Sequence, residues 1–284
     1  MDGKKIRETD FGAIMHVEFT QKPSKPWRKI FFARHPKLHP RDSLPELTGR
    51  WKNVPIQHLH AYQTICGFPV DNIIPLSYLQ VLATPLHIHL LAHSPLSLLG
   101  LVHTGQSLHA YRPITSEEKI DLEVRIDGLK QVKRGGEFLV HTDAFVGTEK
   151  VWSATATTFT RNLLGHGQDE SKETIPEPSD SSLSFSIAED MGRKYGKISG
   201  DFNPIHIHAL LAKPFGYKRA IIHGMWSLAK ILSLFKPTSN QLDARFIRPI
   251  FLPSTVEAYQ NKGFMVLRNP ENQKTYLWVK TNVS

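Results

Sequence analysis

The sequence predicts an α+β protein built from two copies of one unit, in which an apolar helix precedes a sheet. Two apolar, helix-like segments, 72–92 and 223–235, are each followed by several strand-like segments. Residues 111–114 and 247–250 share the run Arg-Pro-Ile, and each copy follows the first strand after its helix. We therefore expect an N-terminal domain at 1–161, a linker at 162–182 and a C-terminal domain at 183–284.

The strands are predicted from alternation and from β-branched residues. Residues 1–50, rich in Lys, Arg and Pro, are expected to form an extended lead-in with short strands. A turn is expected at 134–136, where Arg-Gly-Gly joins two strands, and the segment 188–195 is expected to be helical. The strand-like segments are 101–113, 119–132, 137–146, 151–161, 183–187, 242–249, 255–261, 263–269 and 275–281.

The composition is that of a soluble globular protein, with 40% hydrophobic and 21% charged residues among 284. Cys66 is the single cysteine, which excludes an internal disulfide and favours the reducing cytoplasm. The net charge of +9 attracts polyanions, yet the basic residues are scattered and no DNA-reading motif is present. A nucleic-acid partner is therefore not expected.

A membrane span is not expected either, although no Asp, Glu, Lys or Arg lies between Asp71 and Arg112. Pro75, Pro85 and Pro95 interrupt that stretch, which favours a buried helix over a spanning one. The N-terminus lacks the apolar region of a secretory signal.

Residues 195–206, Tyr-Gly-Lys-Ile-Ser-Gly-Asp-Phe-Asn-Pro-Ile-His, form the most informative segment. They predict a helix end, a glycine turn and a loop stiffened by Pro204 that presents Asp201, Asn203 and His206. A carboxylate and an imidazole on one short loop can converge on a water molecule and act as acid and base. The same residues are also those that cap a helix, with the histidine simply packed.

This segment resembles the signature Y-x-x-[LIV]-S-G-D-x-N-P-[ILV]-H of the MaoC-like dehydratases, also called hydratase 2, and fits it at every specified position. Residues 221–225 and 246–251 resemble the segment that opens the family's central helix and the strand and turn that follow it. The strong resemblance covers 183–284, whereas the N-terminal half matches two-repeat members only in layout.

The resemblance implies a double hotdog, in which two antiparallel sheets, each curled around a central helix, are joined side by side. The first repeat is expected to be degenerate, because residues 69–92 contain no Asp-x-Asn-x-x-His. The implied activity is reversible hydration of trans-2-enoyl thioesters to (R)-3-hydroxyacyl thioesters. A hotdog acyl-thioesterase and a non-catalytic acyl-thioester-binding protein are the alternatives.

The resemblance also assigns roles. Asp201 and His206 are expected to bind the catalytic water, and the Gly224 backbone N–H to polarise the thioester carbonyl at a helix N-terminus. Asn203, Ser199 and His223 are expected at the substrate, although packing explains His223 equally well.

We expect no cofactor and no metal. His89 and His93 have a helical ligand spacing but lack the usual glutamate, and no nucleotide-binding or Gly-x-Ser-x-Gly motif is present. The expected substrate is a thioester of coenzyme A or of an acyl carrier protein, handled by a monomer or homodimer. Lys213, Lys218 and Arg219 either meet such a carrier or form a solvated loop. Acyl chain length, reaction direction and pathway stay open.

Overall fold

The computed structural model describes residues 15–23, 47–98, 100–133, 135–161, 163, 174–175, 182–261 and 263–281. In chain order its elements are β1 (Met15–Phe19), β2 (Leu47–Trp51), α1 (Leu59–Cys66), α2 (Tyr78–Leu82), α3 (Thr84–Leu91), β3 (Val102–Ala110), β4 (Ile120–Val132), β5 (Gly135–Val146), β6 (Glu149–Thr160), β7 (Ser182–Ile187), α4 (Met191–Ser199), α5 (Pro204–Ile207), α6 (Ala209–Ala212), a 3₁₀ turn (Lys213–Phe215), α7 (Gly224–Phe235), β8 (Gln241–Phe246), β9 (Ser254–Asn261), β10 (Phe264–Arg268) and β11 (Thr275–Thr281).

The chain forms two compact units, each made of several stretches of the sequence. The described residues of the first unit lie within 1–56, 82–104 and 110–172, and those of the second lie within 57–81, 105–109 and 173–284. Of the predicted linker, residues 163, 174–175 and 182 are described, so the boundaries at 161 and 183 stay predictions.

In the first unit a sheet packs against helix α3. The strands lie in the order β1-β2-β4-β5-β6, with β1 and β2 parallel and the other neighbours antiparallel. Every second residue of β2 is buried, namely Leu47, Gly49 and Trp51. A Cβ on Gly49 would lie 2.9 Å from the side chain of Leu86 and 3.3 Å from that of Leu90, so glycine lets α3 approach the strand closely.

In the second unit an antiparallel sheet contacts helix α7. Its order is residues 105–109 of β3, then β8, β11, β10, β9 and β7. Leu228, Ile231 and Leu232 of α7 are buried, and α7 contacts β10 and β11. Helix and sheet thus bury their apolar faces against one another.

Helix α1, which the sequence analysis did not predict, packs on α7 within this second unit. The Trp226 indole Nε1–H donates to the Ile65 carbonyl at 3.1 Å, and the Ser233 hydroxyl donates to the Cys66 carbonyl at 2.7 Å. The hydrogen bonds join residues more than 160 positions apart in sequence, which is why no local pattern revealed them.

The predicted helix at 72–92 is shorter in the structure and is split. Residues 72–77 are not helical, and the break between α2 and α3 lies at Ala83, close to Pro85, where an interruption was expected. Pro85 instead lies in the first turn of α3, where its missing N–H costs no intrahelical hydrogen bond.

The predicted turn at 134–136 is also wrong in position. Gly135 and Gly136 belong to β5 and pair with Val132 and Gln131 of β4. A Cβ on Gly135 would lie 2.2 Å from the Thr160 carbonyl oxygen, so close approach to β6 explains a glycine there. Among the described residues, no helix combines the length and apolarity needed to cross a membrane.

Candidate active site

Successive side-chain-to-backbone hydrogen bonds hold the loop between α4 and α5 in shape. Gly200 ends α4 in the left-handed region, at φ 71°, which glycine adopts without strain. The Ser199 hydroxyl accepts from the Asp201 N–H at 3.2 Å, and the Asp201 carboxylate accepts from the Asn203 N–H at 3.0 Å. Asn203 in turn caps α5 by accepting from the Ile205 N–H at 3.4 Å. The expected cap is therefore present, yet the Asp201 side chain remains 40% exposed.

Two glycines of α4, which the sequence analysis did not single out as site residues, let this helix touch the loop. A Cβ on Gly192 would lie 2.0 Å from the His206 carbonyl oxygen, and one on Gly196 would lie 2.9 Å from the Asp201 carbonyl oxygen. Both distances are shorter than any ordinary contact of a Cβ atom. The spacing of four residues on one helix face was the available signal.

His206 is buried and oriented by the segment that leads to α7. Its Nδ1 lies 2.8 Å from the Ile221 carbonyl oxygen, and the Ile221 N–H donates to the Ile205 carbonyl at 3.0 Å. Because a carbonyl only accepts, Nδ1 carries the proton and Nε2 of the neutral ring keeps a lone pair. Burial lowers the pKa of His206, and the nearby Asp201 carboxylate opposes part of that shift.

His223 lies against His206, at the start of α7. The two rings stack with centroids 3.8 Å apart and an interplanar angle of 26°. The His223 Nε2 donates to the Asp201 backbone carbonyl at 3.1 Å and lies 3.9 Å from the Asp201 carboxylate. Burial lowers the pKa of His223 to about 3, and the neighbouring His206 makes a smaller contribution in the same direction. The ring is therefore neutral at ordinary pH.

Gly224 is the first residue of α7, and its N-cap His223 makes no side-chain capping bond. The first N–H groups of a helix have no intrahelical acceptor and lie at the positive end of the helix dipole. A Cβ on Gly224 would lie 3.0 Å from two carbons of the Phe246 ring. The packing against Phe246 thus supplies a reason for glycine that the sequence analysis did not give.

The structure brings Asp201, His206 and His223 together. One potential ligand atom from each lies within 4.8 Å of the others, which is also a geometry that could hold a metal ion. The rings of His89 and His93 in the first unit have centroids 4.6 Å apart and are tilted by 35°, but the two residues belong to no such group of three among the described residues. The prediction that the protein uses no metal stays a prediction.

The three basic residues between His206 and Gly224 differ in their surroundings. Lys213 and Lys218 are exposed. Arg219 is held by the Pro253 carbonyl at 3.2 Å and lies 5.6 Å from the centroid of the Phe251 ring. Both predicted alternatives, a carrier contact and a solvated loop, remain open.

The first repeat retains the end of the motif helix but not the acid–base pair. Helices α1 and α4 both close with Tyr-x-x-Ile, then Cys or Ser, then Gly, and both glycines, Gly67 and Gly200, are left-handed. Phe68 follows in the first copy where Asp201 follows in the second. This wider echo supports the repeat better than the Arg-Pro-Ile match does.

Known proteins share this fold and part of the sequence. Residues 170–277 match the MaoC like domain family. The chain is 29% identical over 234 residues to 3-hydroxyacyl-thioester dehydratase X of Mycobacterium tuberculosis, an alignment that covers 78% of this chain and 82% of the relative.

Two solved structures have similar folds. The crystal structure of HtdX from Mycobacterium tuberculosis superimposes with a TM-score of 0.71 at 26% identity, covering 82% of this chain and 98% of that one. A MaoC-like dehydratase from Phytophthora capsici superimposes with a TM-score of 0.62 at 18% identity, covering 86% and 97%. The predicted α+β hotdog class is thereby confirmed. The resemblance to the MaoC-like dehydratases that the sequence predicted is thus confirmed, with residues 170–277 matching the MaoC like domain.

Proposed function

We propose that this protein is a hydro-lyase that adds water reversibly to trans-2-enoyl thioesters and forms (R)-3-hydroxyacyl thioesters, with the acyl group carried on coenzyme A or on an acyl carrier protein. The hydratase/dehydratase class is supported by the match of residues 170–277 to the MaoC like domain and by the dehydratase relative. The observation that carries the proposal is that a potential ligand atom of the His206 imidazole lies within 4.8 Å of a carboxylate oxygen of Asp201, a separation that suits a shared water.

The spacing of the pair supports a shared water. Two groups that each lie about 2.8 Å from one water oxygen, at a tetrahedral angle, are roughly 4.6 Å apart. The potential ligand atoms of Asp201 and His206 lie within 4.8 Å of one another. One water can therefore hydrogen-bond to both.

The state of His206 suits it to act as a base. Its Nδ1–H is engaged by the Ile221 carbonyl, so the lone pair of Nε2 is available to accept a proton from the water. The lowered pKa keeps the ring neutral near pH 7, and the partly exposed Asp201 carboxylate can hold the other water hydrogen.

The reaction then needs stabilisation of the thioester oxygen. As the water oxygen bonds to the β-carbon, the electrons of the C=C bond shift toward the thioester group. Negative charge then develops on the thioester carbonyl oxygen, which gives an enolate. The N–H of Gly224, at the start of α7, is the proposed donor to it. When the enolate collapses, the proton taken by the acid–base pair is delivered to the α-carbon, so that H and OH add across the double bond.

Replacement of the pair tests the proposal. In Asp201→Asn and His206→Ala, kcat/KM for hydration of crotonyl-CoA is expected to fall by about 10²–10⁴-fold, the usual contribution of an acid–base group. Asp201→Asn keeps an oxygen that accepts from the Asn203 N–H, so it preserves the loop. Circular dichroism and thermal unfolding check that both variants are folded.

Wild-type turnover in either variant would contradict the assignment of these two residues. Release of free thiol from saturated acyl-CoA, without hydration of enoyl-CoA, would instead identify a thioesterase. Chiral analysis of the 3-hydroxyacyl product tests the (R) configuration. Activity is expected to survive dialysis against a chelator, because no step uses a metal.

A further inference from the structure

His223 has an unusual set of contacts for a residue expected to bind substrate. It is 3% exposed, and the centroid of its ring lies 3.8 Å from that of His206 and 5.0 Å from that of Tyr195. Its Nε2 is already engaged by the Asp201 backbone carbonyl. Little of this side chain is left to meet a ligand.

The contacts fix which nitrogen of His223 carries the proton. The Asp201 carbonyl only accepts, so Nε2 is protonated and Nδ1 of the neutral ring must be an acceptor. That Nδ1 is buried and has no hydrogen-bond partner among the described residues. A buried acceptor without a donor costs about 1–3 kcal/mol.

A potential donor lies on the neighbouring ring of Tyr195, whose centroid is 5.0 Å from that of His223. The Tyr195 hydroxyl is buried and also lacks a partner among the described residues. Burial raises the pKa of Tyr195 well above its ordinary value, with smaller contributions from Tyr62, Cys66 and Asp201, so the hydroxyl keeps its proton. An unsatisfied donor and an unsatisfied acceptor on neighbouring rings can satisfy each other.

We propose that His223 is a positioning residue whose Nδ1 is linked to the Tyr195 hydroxyl through one water, while its Nε2–H holds the Asp201 carbonyl. This inference rests on the proposed function, because the groups it positions are Asp201, His206 and the first N–H of α7. His223 directly precedes Gly224, stacks on His206 and is bonded to Asp201. It therefore links the loop of Asp201, where the water is proposed to bind, to α7, whose first N–H is proposed to bind the thioester carbonyl.

Variants that separate ring stacking from hydrogen bonding test this role by steady-state hydration of crotonyl-CoA. His223→Phe keeps a ring against His206 but removes the donor to Asp201, and kcat is expected to fall about 10- to 100-fold, as displaced catalytic groups do, with KM within about threefold. His223→Gln places an amide N–H near the position of Nε2 and is expected to restore kcat to within about fivefold of wild type.

His87→Phe is the control, since His87 is another neutral histidine, half-buried in the first unit and bonded to Thr142 at 2.8 Å. It removes an imidazole without touching the site, so kcat and KM are expected to be unchanged. Tyr195→Phe is expected to lower kcat about tenfold and to have little further effect in the His223→Phe background, because both changes break one chain of hydrogen bonds.

Nitrogen-15 NMR of labelled histidine gives a readout that needs no turnover. The signals of His223, identified by their loss in His223→Gln, are expected to show the neutral Nε2–H tautomer between pH 6 and 8, and Tyr195→Phe is expected to shift Nδ1. The titratable groups facing His223 are His206, Asp201 and Tyr195, so the same spectra are recorded in Asp201→Asn.

Three results would overturn the inference: wild-type kcat in His223→Phe, an effect on KM alone, or a proton on Nδ1. An effect on KM alone would make His223 a substrate contact. If the wild-type protein failed to hydrate any enoyl thioester, the proposed function would fall, whereas the tautomer and its response to Tyr195→Phe would still test the hydrogen-bond chain.

Discussion

Gly192 gives the sharpest test of how the fold positions the site. Replacing this glycine by alanine within α4 would by itself favour the helix by about 1 kcal/mol. In the folded protein, however, the new Cβ would lie 2.0 Å from the His206 carbonyl oxygen and 3.1 Å from its carbonyl carbon. These are backbone atoms, so they cannot rotate away as the end of a side chain can.

The size of the displacement follows from that distance. To reach an ordinary contact of 3.4 Å, α4 and the His206 backbone must separate by about 1.4 Å. A misplacement of about 1 Å can cost roughly 100-fold in rate, and overpacking costs about 1–3 kcal/mol of stability. We therefore expect Gly192→Ala to lower kcat/KM about 100-fold and to lower the free energy of unfolding modestly.

Steady-state hydration of crotonyl-CoA and urea unfolding measure the two effects separately. Gly49→Ala is the matched control, since its Cβ would lie 2.9 Å from the side-chain end of Leu86 in the first unit. It is expected to lose stability but to keep kcat/KM within about twofold of wild type. If Gly192→Ala retained wild-type kcat/KM, the contact between α4 and His206 would have no role in placing the imidazole.

Two further predictions concern pH and the start of α7. Below pH 6.5 the unfolded chain binds protons that the folded chain excludes from His87 and His223, whose pKa values are about 3 in the fold. Between pH 6.5 and 5.5 the free energy of unfolding is therefore expected to fall by about 1 kcal/mol for each histidine, because the unfolded imidazole goes from half to nearly full protonation. Urea unfolding at pH 6.5 and 5.5 measures this, and an equal slope in His87→Phe would contradict it. Gly224→Ala is expected to lower kcat/KM about 10- to 100-fold, because its Cβ would press on the Phe246 ring 3.0 Å away, and Phe246→Leu is expected to recover part of that loss in the double variant. Unchanged kinetics in Gly224→Ala would contradict the reasoning that the contact with Phe246 fixes the position of this backbone N–H.

Local patterns in the sequence predicted most of the strands. Alternation gave the bounds of β4, β9 and β11 to within a residue, because a strand with one buried face repeats every two residues. The helix α7 was predicted to within one residue for the analogous reason that its apolar positions recur at helical spacing.

The sequence was less informative where packing decides the structure. The short helix α1 has polar residues such as Gln63 and Thr64, and what holds it is contact with α7. Gly135 and Gly136 suggested a turn because glycine is common in turns. In the structure they lie in a strand, where close packing against neighbouring atoms explains why they are glycine.

For the site, the sequence by itself determined the residues of the motif loop and the local hydrogen bonds among them. Ser199, Asp201 and Asn203 bond to backbone groups two residues away, and such contacts need only the order of residues along the chain. The position of Gly200 as a left-handed helix end was equally local.

Only the tertiary structure decided which nitrogen of His206 is protonated, how His223 is used and why α4 carries glycines. The Ile221 carbonyl is 15 residues from His206, and the Asp201 carbonyl is 22 residues from His223. Hydrogen-bond direction, burial and the resulting pKa depend on atoms that meet in space, and a linear motif contains no distances between them.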